Sequence, residues 1–212
     1  MPTTSNSSRM RTVNICLLGL FTAVMILFGV LFPALGYIKI GPLEITFLPV
    51  LIAIGSALMG CPAGTYLGTL FGLTSLYQAI TASPLGQLLL GINVFYTVIV
   101  CVVSRILVGF LTGLIANAVK KFKKGTASEI AGYGIISLSA PLLNTIFFVG
   151  SLVLLFGTNS DVLDAFGSTS VWGIIIGLVT VNALAEVIFS LVVGTALTKA
   201  ICHIAPKIIK ER

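Results

Sequence analysis

The chain has 212 residues, 57% of them apolar and only 8% charged, with a mean hydropathy of +1.14. A soluble domain carries about 25% charged residues, so composition excludes a soluble protein and leaves an integral membrane one. The period-two alternation of a membrane barrel is nowhere sustained, which leaves spanning helices of roughly 20 residues each.

Residues 1–12 form a polar N-terminal segment, with Arg9 and Arg11 directly before an apolar run at 13–35. A cleaved signal has an apolar core of only about 7 to 15 residues, so this run is a retained first span. Further runs at 45–59, 63–80, 88–119, 129–156 and 171–201 complete six predicted transmembrane helices in a single membrane domain, 1–212, of all-α class. Gly60-Cys61-Pro62 separates the second and third helices, and 33–44, 81–87 and 158–170 are longer connections. Residues 202–212 form a basic tail. Arg9, Arg11, Lys120, Lys121, Lys123, Lys124, Lys199, Lys207, Lys210 and Arg212 all fall on one side of such a chain, which makes both termini cytoplasmic. Lys39 lies in the first outer loop and Arg105 within the fourth span. This asymmetry, with attraction to anionic lipid headgroups, accounts for the net charge of +6 without a nucleic-acid partner.

Glycines recur at every fourth position, at Gly60, Gly64, Gly68 and Gly72, with further pairs Gly109/Gly113 and Gly173/Gly177. Where lipid removes the hydrophobic effect between helices, such small faces let backbones approach, and the third helix is expected to pack tightly. Gly19 and Ala23 form a similar pair on the first helix, free to face another protein. Cys16, Cys61, Cys101 and Cys202 have no paired metal spacing and are expected to be buried small apolar residues. His203 is a tail residue beside Lys199 and Lys207. Neither a metal nor a cofactor is expected.

Polar groups inside a bilayer are costly and mark function by default. At about 1.5 Å per residue, Arg105 lies roughly 21 Å from the cytoplasmic end of its helix. Asn144 and Glu186 lie about 18 and about 22 Å from the outer ends of theirs, so all three sit near mid-depth. Asn182 shares the face of Glu186 one turn nearer the outside. Pro141 frees the carbonyl of Ser137 and favours a kink beside Asn144. Thr74, Tyr77, Gln78, Asn93 and Tyr96 form a polar outer rim, Tyr77 and Tyr96 being the best internal aromatic groups. Two interpretations follow. In one, Arg105 and Glu186 form a structural ion pair that clamps the fourth and sixth helices. In the other, Arg105 recognises an anionic ligand while the amides bind hydroxyls or amides.

The chain lacks a G-x-x-x-x-G-K-[ST] phosphate cradle, an H-E-x-x-H helix and a Ser/His pair at depth, so neither an ATPase motor nor an intramembrane protease is expected. An ion-coupled secondary carrier with Glu186 titrating remains the alternative class. Over nearly its whole length the chain resembles the substrate-binding S components of energy-coupling factor (ECF) vitamin transporters. The resemblance rests on the small pair Gly19/Ala23, the loop IKIGPLEITFLPVLIAI and, most specifically, the glycine run MGCPAGTYLGTLFGLTSL. The segments SAPLLNTIFFVGSLVLLFG and VTVNALAEVIFSLVVG look most like the pantothenate-type branch. The resemblance implies a six-helix bundle in a bacterial cell membrane, with a vitamin site toward the outer face capped by the loop around Tyr37 to Glu44. It also implies a separate motor, made of a transmembrane coupling subunit and two ATPase subunits. The small pair docks on that coupling subunit, usually as Ala-x-x-x-Ala; here Gly19 replaces the first alanine and keeps the position small. Pantothenate has a carboxylate, an amide and two hydroxyls, an inventory that Arg105, Asn144 and Asn182 match. Folate, a thiamine precursor or pyridoxine are the alternative substrates.

Overall fold

The computed structural model describes residues 4–40, 43–122, 126–167 and 183–204. Helix α1 (Thr4–Ile26) continues into a π-helical turn, Leu27–Leu31, and a short α2 (Pro33–Gly36). The predicted polar segment 1–12 is therefore largely helical. Once the apolar span has nucleated, each added turn costs little, and nothing before Val13 in α1 breaks it.

The connection at 33–44 holds the main departure from an all-α chain. β1 (Tyr37–Ile40) and β2 (Leu43–Thr46) pair antiparallel with Tyr37 opposite Thr46 and Lys39 opposite Glu44. β-Branched Ile38, Ile40, Ile45 and Thr46 favour extended backbone, and Gly41-Pro42 stands between the strands in the sequence. As a result the second long helix, α3 (Leu48–Met59), starts three residues later than the apolar run. One residue, Gly60, joins it to α4 (Cys61–Thr81) at a φ of 81°, a left-handed conformation that favours glycine.

α5 (Pro84–Ile92) is capped by Ser83, whose Oγ accepts from the Gly86 N–H at 3.1 Å. The predicted helix 88–119 is broken at Asn93. Its backbone is extended and its Oδ1 accepts from the Tyr96 N–H at 3.1 Å, the side chain out-competing the helical ladder. Beyond it lie α6 (Val94–Val98), a π-helical turn at Ile99–Val103 and α7 (Ser104–Phe122). α8 (Thr126–Phe156) runs through Pro141 without ending, and α9 (Ser160–Ala165) occupies part of the expected connection at 158–170. α10 (Leu184–Phe189), a π-helical turn at Ser190–Gly194 and α11 (Thr195–Ile204) complete the described chain. Trp172, Gly173, Gly177 and Asn182 lie outside the described residues, as does most of the tail.

Among the described residues, three stretches are long and apolar enough to cross a membrane: Arg11–Leu31, Val94–Lys121 and Ser128–Phe156. Large apolar side chains such as Ile15, Phe95, Ile146 and Leu154 point outward. The bundle is held at its centre by α4 against α7. A Cβ placed on Gly68 would lie 2.9 Å from the Gly109 Cα, and one on Gly109 would lie 2.8 Å from the Gly68 Cα. Gly64 meets the Gly109 carbonyl and Gly113 meets Cys61 in the same way. The expected close packing of the glycine-rich helix is thus present, with its partner specified. Phe21, Met25, Leu48, Ile52, Leu67 and Phe71 fill the space between α1, α3 and α4. Of the cysteines expected to be buried, Cys101 is, Cys61 is half-buried and Cys16 is exposed on α1, where its small apolar thiol faces outward.

Candidate functional site

Arg105 stands in the first turn of α7, just beyond the π-helical turn, and is 6% exposed. Its Nη1 donates to the carbonyl of Val100 and, at 3.0 Å, to Ser104 Oγ. Two aromatic rings flank the guanidinium: its Cζ lies 5.5 Å from the ring centre of Phe71 on α4 and 4.5 Å from that of Phe148 on α8. These contacts attract a cation through the negative ring faces and hold the planar fork in a dry setting.

Glu186, on α10, is 4% exposed. Its Oε1 accepts from the Thr46 N–H at 3.0 Å and its Oε2 from Asn144 Nδ2 at 3.3 Å, and it interacts electrostatically with Arg105. The predicted mid-depth groups Arg105, Asn144 and Glu186 are therefore brought together from α7, α8 and α10. A second polar group adjoins them. Thr74 Oγ1 donates to the Phe71 carbonyl at 2.9 Å and lies 3.4 Å from the Tyr37 hydroxyl. Gln78 Nε2 donates to the Gly29 carbonyl at 2.7 Å. The hairpin joins the two groups, because Tyr37 and Thr46 are register partners and reach α4 and α10 respectively.

Two buried acceptors in this region have no hydrogen-bond partner among the described residues: Asn144 Oδ1 and Gln78 Oε1. Leaving a buried polar atom unsatisfied costs roughly 1 to 3 kcal/mol, so each is a position where an incoming donor gains.

The structure keeps three predicted site residues out of this cluster. Tyr77 is 43% exposed: Thr74 and Gln78, four positions apart, share the inward face of α4, and Tyr77 is turned about 100° from Gln78. Tyr96 is 39% exposed and stands edge-on to Phe156, with ring centres 6.0 Å apart, rather than inside the bundle. Asn93 spends its side chain on the helix cap. Conversely, Phe71, Phe148 and the Thr46 N–H were not anticipated. Phe148 had a signal, lying one turn from Asn144 on the same helical face. Gly19 and Ala23 are both exposed, and a Cβ on Gly19 would meet nothing within 4 Å.

Buried charge and amide groups enclosed by apolar spanning helices define a membrane-embedded binding protein. Residues 13–197 match the family described as the substrate-specific component of ECF transporters, and the chain belongs to that family, as a multi-pass plasma-membrane transport protein. Two relatives are similar along most of their length. A pantothenate transporter PanT of Leuconostoc mesenteroides subsp. mesenteroides is 29% identical over 192 residues, covering 88% of this chain and 91% of the relative. A pantothenic acid transporter PanT of Lactococcus lactis subsp. cremoris is 26% identical over 203 residues, covering 89% of this chain and 93% of the relative.

Proposed function

We propose that this chain captures pantothenate from the outer side of the membrane and hands it to an ATP-driven module that it does not itself contain. In this reading it is a single six-span domain with cytoplasmic termini and no catalytic activity, working with a transmembrane coupling subunit and two ATPase subunits. The observation that carries it is the buried guanidinium of Arg105, flanked by Phe71 and Phe148, together with the unused buried acceptor oxygens of Gln78 on α4 and Asn144 on α8. The ligand carboxylate would take the guanidinium fork, a ligand hydroxyl or amide donor would meet Gln78 Oε1, and Asn144 would bind the ligand through whichever amide atom Glu186 leaves free. Thr74 shares the inward face of α4 with Gln78, and the sequence spacing alone makes Asn182 a further candidate. The names of the two relatives favour the same ligand. Calorimetric titration of the purified chain with pantothenate, folate, thiamine and pyridoxine tests it: pantothenate should bind, and a preference for another vitamin would reassign the substrate.

Docking is expected through Gly19 and Ala23, whose outward exposure leaves them open to a partner helix. Gly19→Trp should leave pantothenate binding by the isolated chain unchanged and abolish ATP-dependent uptake by the assembled complex, measured with radiolabelled vitamin in proteoliposomes. Lost binding with intact assembly would place α1 in the site. Concentrative uptake by the chain alone, driven by a proton or sodium gradient, would point instead to a self-sufficient carrier.

A further inference from the structure

The charge inventory around Glu186 points to an additional participant in binding. Arg105 on α7 is the charged group acting on it among the described side chains, so an ionised Glu186 already balances the one guanidinium before any ligand enters. Among the described side chains, the other elements packed around it add little. α3 and α4 contain no Asp, Glu, Lys, Arg or His; Tyr66 and Tyr77 of α4 are exposed. On α8 the charged residue is Glu129, exposed and about 22 Å along the helix from Asn144; on α11 Lys199 is exposed and about 20 Å from Glu186. In the hairpin, Lys39 and Glu44 oppose each other in register, and the Tyr37 hydroxyl lies against Thr74.

A carboxylate ligand entering this cluster brings a second negative charge to a site with one guanidinium. Two carboxylates sharing a desolvated site bind a proton on one of them, because an uncompensated charge is costly away from water. The ligand carboxylate takes the fork of Arg105, which leaves Glu186 as the acceptor. We propose that the site takes up its anionic ligand together with one proton, held on Glu186; this rests on the reading of Arg105 as the ligand's carboxylate partner. One proton from water joins the Glu186 carboxylate as the anion enters, and the net charge of the cluster does not change.

Asn144 suits both protonation states. Its Nδ2–H donates to the Glu186 carboxylate, and its Oδ1, buried with no hydrogen-bond partner among the described residues, accepts from the Glu186 O–H once the amide rotates. The Thr46 N–H donates to the other oxygen throughout. Protonation therefore costs no hydrogen bond. Because a proton is bound on forming the complex, affinity falls as pH rises, by up to about tenfold per unit. Capture is favoured on the more acidic side of the membrane.

Calorimetric titration of the full chain with pantothenate, in two buffers of different ionisation enthalpy, counts the protons exchanged. At about pH 8, the wild type should take up about one proton per pantothenate. Glu186→Gln, whose amide already lacks the charge, should take up none and bind with pH-independent affinity. Buffer-independent heat in the wild type, or proton uptake that survives in Glu186→Gln, overturns the proposal while leaving the anion site standing. Where the variant does not fold, the slope of wild-type affinity against pH decides, a flat profile counting against it. Absence of any binding heat removes the pantothenate reading and this proposal with it.

Discussion

Arg105→Gln is expected to weaken pantothenate binding by about 30- to about 1,000-fold, corresponding to roughly 2 to 4 kcal/mol, while the protein remains folded. Glutamine keeps a donor near the right depth but loses the charge and the paired geometry of the fork. It also loses the attraction of the Phe71 and Phe148 faces that hold the guanidinium in place. The competing interpretation, in which Arg105 only clamps α7 to α10 through Glu186, gives the opposite pattern. Each single change to glutamine would then strand a buried charge and lower the melting temperature, and the double change would restore it. Titration calorimetry alongside thermal melts of the two single variants and the double variant separates them. Unchanged affinity in a folded Arg105→Gln protein removes this residue from the site.

The largest loss of stability is expected on filling the contact between α4 and α7. Gly109→Val should lower stability by at least about 3 kcal/mol and the melting midpoint by about 10 °C or more, because the added side chain meets backbone. The atoms in its way are the Gly64 carbonyl and the Gly68 Cα, which cannot move without parting the helices. Gly150→Ala on α8 is the control: a Cβ there meets nothing within 4 Å, and alanine should hold or slightly raise the midpoint. Melts in detergent read by tryptophan fluorescence or a thiol dye would show it. A Gly109→Val midpoint within a degree or two of wild type would mean that the close approach is absent.

Much of this site is legible in the amino-acid sequence. Depth along a helix follows from the fixed rise per residue, so counting alone puts Arg105, Asn144 and Glu186 at one level. The four-residue glycine spacing likewise announces a close-packed face, and the asymmetric cations point to an orientation from local chemistry alone. The breaks are less legible. Asn93 caps a new helix where the hydropathy runs on unbroken, and the hairpin of Tyr37–Ile40 and Leu43–Thr46 lies inside a stretch that reads as a connection.

Which side of each helix faces inward is settled by packing between helices. In water an apolar stripe marks the buried face, but here lipid-facing and core-facing positions carry the same side chains, and the contrast between them disappears. Tyr77 and Gln78 are adjacent and read equally well as lining residues; packing against the π-helical turn that follows α1 buries Gln78 at 2% exposure and turns Tyr77 out. Phe71 and Phe148 likewise read as two apolar residues among many until the fold sets both against Arg105. The membrane class, the depth of the charged groups and the small-residue contact are written in the linear chain, because each depends on composition or on spacing along one helix. The pairing of Glu186 with Thr46 and Asn144, and the closing of the hairpin over them, depend on segments up to 140 residues apart and exist only once those segments are packed.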